Sequence, residues 1–277
     1  MSNASKQRLD KILVERGLAE SREKAKGLIM SGLVFVAGQK VDKAGALVLL
    51  TDDIDIKSDP NPFVSRGGIK LKKALDLFQP PIKGKIYMDV GASTGGFTDC
   101  LLQYGAQKVY SIDVGYGQLA WNLRQDKRVS VMERTNIRNV TPDDFSILPQ
   151  GAVIDVAFIS LKIVLPVIKG LLSPDSHIIA LIKPQFEAGL FNVDKKGVVR
   201  SPEIHIEVLE GLVSVCQEIN LTIEDFTYSP IKGPKGNIEY FIHLYYGENI
   251  VDNYHDHWDY TEKIQSTVRE AYEKLNL

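Results

Sequence analysis

A glycine-rich loop followed by an acidic residue is the first feature of the sequence that could do chemistry. The segment Asp89–Phe97 reads Asp-Val-Gly-Ala-Ser-Thr-Gly-Gly-Phe and follows a short apolar run. Glycines there let a ligand approach the backbone, and Asp113, at the end of the next apolar run, could accept hydrogen bonds from ribose hydroxyls. Ser93 replaces the second glycine of the dinucleotide fingerprint, and no Gly-Lys-Ser/Thr follows for a phosphate-binding P-loop. The pattern therefore favours an S-adenosylmethionine site over a dehydrogenase, with an ordinary strand-to-helix turn as the alternative.

Four ionisable residues fall at or near the ends of predicted strands. Lys70 precedes the first strand of the sheet, Asp155 lies in the fourth, Lys183 ends the fifth, and Glu239 opens the last. Open parallel sheets bind ligands at the carboxyl ends of their strands. We therefore expect the four side chains to meet at that edge. Taken singly, each has a simpler interpretation as a solvated strand terminus or a satisfied buried polar group.

The elements that must position these residues follow an alternating pattern from Lys85 onward. Apolar, β-branched runs separated by helical segments predict a Rossmann-like α/β fold with a mostly parallel seven-stranded sheet. The predicted strands are Ile86–Met88, Val109–Ile112, Val129–Met132, Val153–Ile159, Ile178–Ile182, Thr222–Ser229 and Ile238–Tyr245. Predicted helices include Thr98–Tyr104, Pro202–Ile219 and Thr261–Leu277. The connection Ile231–Gly236 is short enough to permit only antiparallel pairing, so the last strand is antiparallel.

The first 57 residues predict a separate small α+β module. Apolar spacing indicates two helices, one ending at Gly17 and one that begins at a Ser21 N-cap and ends at Gly32. Short strands follow at Leu33–Val36, Ala46–Leu50 and Ile54–Lys57. A proline-containing stretch then marks a boundary. We predict a small module over 5–57 and a linker over 58–65. A larger α/β domain follows over 66–247, with a helical extension over 248–277.

Composition narrows the class of protein. The chain has 277 residues, 33 Lys plus Arg and 35 Asp plus Glu, for a formal net charge of −2. Near-zero net charge hides basic segments over 6–26 and 66–85, which could engage phosphates, and an acidic stretch after Val251 offsets them. The two distant cysteines support neither a disulfide framework nor a zinc site, and no apolar run approaches a membrane span of about 18 residues. We expect a cytoplasmic protein with no metal.

Five motifs together make the chain similar to the TlyA family of ribosomal RNA methyltransferases, within the FtsJ-like group of 2′-O-methyltransferases. They are Arg66–Leu71, Asp89–Phe97, Ile154-Asp155, Lys183–Glu187 and Gly236–Glu239. The N-terminal segments Arg8–Arg22 and Gly32–Val36 resemble the alpha-L RNA-binding module of a ribosomal protein, which makes the small module over 5–57 an alpha-L type RNA-binding domain. The resemblance therefore covers nearly the whole chain. One departure is Ala37, where that module usually has Asn or Asp before Gly38.

The resemblance implies specific residue roles. Lys70, Asp155, Lys183 and Glu239 would form the catalytic tetrad. S-adenosylmethionine would be the cofactor, bound by a set of residues around the glycine loop and the two following strand ends. That set is Asp89, Gly91, Ala92, Ser93, Gly95, Gly96, Phe97, Asp113, Val114, Asn136 and Ile137. RNA would be bound by Lys6, Arg8, Arg22, Lys43 and Arg66. A ribose 2′-hydroxyl is a poor nucleophile, so we expect Lys183 to be the base that receives its proton, oriented by Asp155.

The leading hypothesis is therefore an S-adenosylmethionine-dependent 2′-O-methyltransferase acting on ribosomal RNA, with cytidine as the expected nucleotide. Members of this family are often labelled haemolysins, so a membrane-lytic protein is one alternative, opposed by the absence of a signal peptide or spanning helix in the sequence. A non-catalytic ribosome-assembly factor is the other. The sequence leaves open which ribosomal subunit is modified and the oligomeric state.

Overall fold

The computed structural model describes residues 6–30, 32–57, 61–247 and 260–275. The chain divides into two compact units, Met1–Pro60 and Asn61–Leu277. Part of the predicted linker, 58–60, and part of the predicted C-terminal extension, 248–259 and 276–277, lie outside the described residues. Within the described residues, no helix combines the length and apolar character that crossing a membrane requires.

The first unit packs two helices on short strands. Its elements are β1 (Lys6–Arg8), α1 (Leu9–Glu15), α2 (Arg22–Met30), β2 (Val34–Val36), β3 (Gln39–Lys40), β4 (Leu47–Leu49) and β5 (Ile54–Ile56). The backbone N–H of Lys24 donates to Ser21 Oγ at 3.2 Å, which confirms the predicted N-cap. β1 and β3, missed in the sequence, are too short to show alternation. Ala37 adopts a φ of 48°, so alanine takes the left-handed turn position between β2 and β3.

The second unit is built on the predicted seven-stranded sheet. Its strands are β6 (Ile86–Val90), β7 (Lys108–Ile112), β8 (Val129–Met132), β9 (Gly151–Ile154), β10 (Ser176–Ile182), β11 (Thr222–Tyr228) and β12 (Tyr240–Tyr246). Their order is β11-β12-β10-β9-β6-β7-β8. β12 runs antiparallel to both of its neighbours, and the pairs from β10 to β8 are parallel. The predicted fold class is confirmed.

Helices cover both faces of this sheet. They are α3 (Gly67–Phe78), α4 (Gly96–Gln103), α5 (Trp121–Gln125), α6 (Leu161–Gly170), α7 (Pro184–Glu187), α8 (Pro202–Glu218) and α9 (Tyr260–Leu275). Alternate β6 side chains point to opposite faces. Tyr87 packs with α3, α4 and α5, whereas Met88 packs with α6, α8 and α9. The sheet is therefore the middle layer of three.

Two sequence predictions need correction. The fourth strand was predicted to run to Ile159, but β9 ends at Ile154 and the chain leaves the sheet at Asp155. The apolar character of a segment indicates that it is buried, but it does not show where the backbone stops hydrogen bonding to a neighbouring strand. The C-terminal helix was predicted as a polar extension, yet α9 buries Ile264, Val268 and Ala271 in the core beneath the sheet. Its described part belongs to the larger unit.

Candidate active site

One edge of the sheet collects the predicted ionisable residues. Four neighbouring parallel strands end at this edge: β6 at Val90, β7 at Ile112, β9 at Ile154 and β10 at Ile182. The residues that follow them are, in the same order, Gly91, Asp113, Asp155 and Lys183. Backbone hydrogen bonds continue one residue beyond two of these strands: Gly91 N donates to Ile112 O and Asp155 N donates to Val90 O, both at 2.9 Å. The carboxyl edge is thus held rigid at the point where its side chains leave the sheet.

The four predicted tetrad residues form two acid–lysine pairs. Lys183 Nζ lies 2.6 Å from Asp155 Oδ1, across neighbouring parallel strands. Lys70 Nζ, on α3, donates to Glu239 Oε2 at 2.6 Å. Glu239 reaches this edge because β12 is antiparallel and begins there, with Tyr240 opposite Ile182 in the register. The structure therefore brings all four residues to one edge, as expected, although Glu239 and Asp155 lie just outside their strands.

Glu239 is the most deeply buried member of the tetrad, with 1% of the residue exposed. Burial raises the pKa of its carboxyl, and the positive charges of Lys70 and Lys183 act against that rise while Asp155 adds to it. Lys70 of one pair and Asp155 of the other line the same pocket, so the two pairs are neighbours.

A cleft of about 1100 Å³ opens beside the Lys183–Asp155 pair. Lys183 and Asp155 both line it, together with six of the predicted cofactor residues: Gly91, Ser93, Asp113, Val114, Asn136 and Ile137. The Asp113 carboxylate is fixed by two backbone donors, Ser93 N at 2.7 Å and Gly115 N at 2.6 Å. A carboxylate has about four acceptor positions, so each oxygen keeps capacity for a hydroxyl of a ligand.

A second, smaller pocket of about 240 Å³ meets this cleft. Lys70 and Arg66 line it, with the predicted loop residues Ala92, Gly96 and Phe97. Gly91, Ser93 and Asp155 line both spaces. Asp155 therefore stands where the large cleft and the small pocket join, with Lys183 2.6 Å away. Two molecules held one in each space would meet at this pair.

Two predicted cofactor residues line neither space. Asp89 is fully buried, where Thr98 Oγ1 donates to its Oδ2 at 2.6 Å, and burial raises the pKa of its carboxyl to about 7. Gly95 precedes α4 with a φ of 95° and faces Leu119 and Leu123. We assign both a role in shaping the loop, since Asp89 ties β6 to α4 and Gly95 permits the backbone to enter the helix.

Sequence reasoning missed the aromatic wall of the large cleft. Phe158 is 90% exposed, has a φ of 63°, and lies with its ring centre 5.0 Å from that of Phe186. Gln118 and Gln185 also line the cleft. The segment containing Phe158 was assigned to a strand because of its apolar character. The one available signal was Asp155, a charged residue interrupting that run.

Two of the predicted RNA-binding residues of the first unit, Arg8 and Arg22, contact a buried acid. Arg8 and Arg22 both contact Asp10 Oδ2, at 3.0 and 2.8 Å, and these two guanidinium groups hold the pKa of Asp10 well below its usual range. About half of each arginine side chain stays exposed, as do Lys6 and Lys43. Asp10 thus orients two cations toward solvent without burying them.

Similarity to known proteins agrees with this geometry. Residues 63–246 match the family described as FtsJ-like methyltransferase, and residues 7–54 match the S4 domain. The first match covers the sheet, both acid–lysine pairs and the cleft. This chain belongs to the FtsJ-like methyltransferase family. The methyltransferase carries in addition an S4 domain in its first unit.

Relatives resemble it along nearly the whole chain. YqxC of Bacillus subtilis is 48% identical over 98% of this chain and 96% of its own length. The 16S/23S rRNA (cytidine-2′-O)-methyltransferase TlyA of Mycobacterium tuberculosis is 43% identical over 87% of this chain and 90% of its own. A solved Streptococcus thermophilus structure that carries the hemolysin name has 40% identity and a TM-score of 0.75, covering 98% of this chain and 97% of its own. This methyltransferase is therefore a TlyA-type member of its family.

The methyl donor of this family is S-adenosylmethionine. The large cleft suits it chemically. Asp113 presents fixed carboxylate oxygens that would accept from ribose hydroxyls, and apolar Ile112, Val114 and Ile137 line the same cleft. Asp155, also in the lining, offers a negative charge that would suit a sulfonium. The residues present therefore fit the cofactor.

Proposed function

We propose that this methyltransferase modifies the ribose 2′-hydroxyl of a cytidine in ribosomal RNA. The observation that carries the proposal is the junction of the two spaces at Asp155, with Lys183 beside it and the Lys70–Glu239 pair in the smaller pocket. Its support also includes the S4 domain and the activity named for the Mycobacterium tuberculosis relative. The RNA substrate and the nucleotide are parts of the proposal.

The chemistry assigned to the site uses its two pairs differently. Bound S-adenosylmethionine supplies a methyl group on a positively charged sulfur. Lys183 would accept the hydroxyl proton while the hydroxyl oxygen bonds to the methyl carbon and the methyl–sulfur bond breaks. The sulfur would leave as a neutral thioether, so one positive charge passes from the sulfur to the lysine. Asp155 orients Lys183, and its carboxylate lies next to the positive charge that the lysine gains. Holding the hydroxyl and the methyl group in line would contribute to the acceleration expected from such a site.

The Lys70–Glu239 pair has a positioning role in this scheme. Lys70 lines the small pocket while Glu239 is buried behind it, so the carboxylate holds the ammonium at a fixed place. A fixed ammonium can donate to ribose or phosphate oxygens of the acceptor. Arg66, exposed at the same pocket, can contact the phosphate of that nucleotide.

The test is to incubate the full chain and S-adenosylmethionine with unmodified ribosomal subunits, and to digest the RNA for nucleoside mass spectrometry. We expect 2′-O-methylcytidine. Lys183→Ala should abolish it while S-adenosylmethionine binding, measured by calorimetry, stays within about twofold. Lys274→Ala, an exposed lysine on α9, is the matched control and should retain activity. Turnover by Lys183→Ala would remove Lys183 from its role as base.

A relative named Hemolysin A, from Brachyspira hyodysenteriae, is 42% identical over 86% of this chain, so lysis is tested directly. Purified protein is added to erythrocytes with and without a methyltransferase inhibitor. Lysis unaffected by the inhibitor, with no methylated nucleoside in the first experiment, would replace the enzymatic proposal.

A further inference from the structure

Two loops lie at the carboxyl edge of the sheet. The first lines the large cleft at Gly189, and the second lines the small pocket. One, residues 188–201, joins α7 to α8, and the other, residues 229–239, joins β11 to β12. The second loop ends at Glu239 and contributes Lys232 and Pro234 to the wall of the pocket. We call residues 188–201 and 229–239 together the loop pair.

Asn237 holds the loop pair together. It is 1% exposed; its Oδ1 accepts from Val199 N at 3.0 Å and its Nδ2 donates to Gly197 O at 2.8 Å. Within the first loop, Asp194 accepts from the backbone of Lys196 and Val198 at 2.8 and 2.9 Å. These bonds use side chains to satisfy backbone groups of an irregular segment, so the surface above them has a defined shape.

That surface is basic and carries an exposed aromatic ring. Lys195, Lys196 and Lys235 are exposed, and none forms an ion pair with any residue in the described ranges of the chain. Phe191 is fully exposed. The only carboxylates in the loop pair are Asp194, which bonds its own loop and Arg200, and Glu239, which is buried against Lys70. The exposed charge of the loop pair is therefore positive.

The surface continues from the small pocket. Lys232 and Pro234 line the pocket, and Lys235, on the same short turn, lies against Gly197 of the other loop. Phe191 is exposed on the same loop as Lys195 and Lys196. Exposed cations together with a ring on which a base can stack are the features that bind a single-stranded nucleic acid without reading its sequence.

We propose that the loop pair binds the RNA backbone that flanks the target nucleotide, with Lys195, Lys196 and Lys235 contacting phosphates and Phe191 stacking on a neighbouring base. This inference rests on the proposed function and names an RNA contact beyond the S4 domain and the small pocket. Asn237 acts as a positioning residue, since it sets the distance between the two loops.

The test measures RNA affinity directly, by filter binding of unmodified ribosomal RNA to the full chain, in a salt series. Lys195→Glu with Lys196→Glu should weaken binding at least about tenfold and lower the salt dependence by about two phosphate contacts. S-adenosylmethionine affinity should not change. Phe191→Ala should weaken binding about fivefold or more, and Phe191→Trp should restore it.

The matched control is Lys127→Glu with Lys274→Glu, which makes the same charge change before β8 and on α9. Unchanged affinity of the loop-pair variants, or an equal loss in the control, would overturn the inference. RNA affinity is measured without methyl transfer, so the test of the loop pair can fail while the proposed function holds, and the reverse. A wild-type chain that binds but does not methylate ribosomal RNA refutes the proposed function, while the affinity of the variants still decides the role of the loop pair.

Discussion

Replacing Lys70 with methionine should destabilise the larger unit strongly. Glu239 is 1% exposed and its carboxylate is paired with Lys70 at 2.6 Å, so the substitution leaves a buried negative charge without its nearest partner. Breaking a buried pair from one side costs about 3–5 kcal/mol of the free energy of unfolding. We expect a loss in that range at pH 8.

The loss should shrink as the pH falls. Burial already raises the pKa of Glu239, and Lys70 is the largest influence that opposes the rise, so the variant should raise the pKa further. A carboxyl whose folded pKa exceeds its unfolded value stabilises the fold when protonated, and this contribution disappears as the pH rises through the folded pKa. Between the two values, the free energy of unfolding should increase by up to about 1.4 kcal/mol for each pH unit of acidification.

The assay is urea unfolding of the full chain from pH 5 to pH 8, followed by tryptophan fluorescence. Trp121 lies on α5 of the larger unit and residues 1–60 contain no tryptophan, so the signal does not come from the first unit. Lys72→Met breaks a pair with Asp76 on the exposed side of the same helix and should leave the curve nearly unchanged. Adding Glu239→Gln to Lys70→Met should remove the extra pH dependence. A pH-independent loss, or an equal loss for Lys72→Met, would refute the reasoning.

Three further outcomes are expected. Gly91→Ala should reduce methyl transfer at least about tenfold, because its φ is 86° and a Cβ would lie 2.5 Å from Asp155 O; single-turnover kinetics measures the loss, and a normal rate would contradict it. Glu187→Gln should cost about 1–2 kcal/mol in urea unfolding, because its two carboxylate oxygens accept from Ser160 Oγ and Leu161 N and an amide provides one acceptor. Asp10→Asn should weaken RNA binding, measured by filter binding, because Arg8 and Arg22 lose the carboxylate that orients them. Unchanged affinity would show that the orientation of these two arginines does not contribute to RNA binding.

Local patterns in the sequence were enough to predict much of the larger unit. The alternation of apolar runs with helical segments predicted the seven strands, because a strand that is buried on both faces has apolar side chains at successive positions. The short connection before Glu239 predicted the antiparallel last strand, since a crossover needs more residues. The glycine loop and Asp113 indicated the ligand-binding edge, and six of the predicted cofactor residues line its cleft.

Tertiary structure decided the features that depend on residues far apart in the chain. Lys70 and Glu239 are 169 positions apart, and nothing in their local patterns states that they pair with each other rather than with Asp155 or Lys183. The end of β9 at Ile154, and hence the place of Phe158 in the cleft wall, depends on where hydrogen bonds to the neighbouring strands stop. The basic surface of the loop pair exists because Asn237 joins two segments 38 positions apart. Periodicity records which side chains are buried; the partner of each buried or charged group is determined only when the sheet assembles.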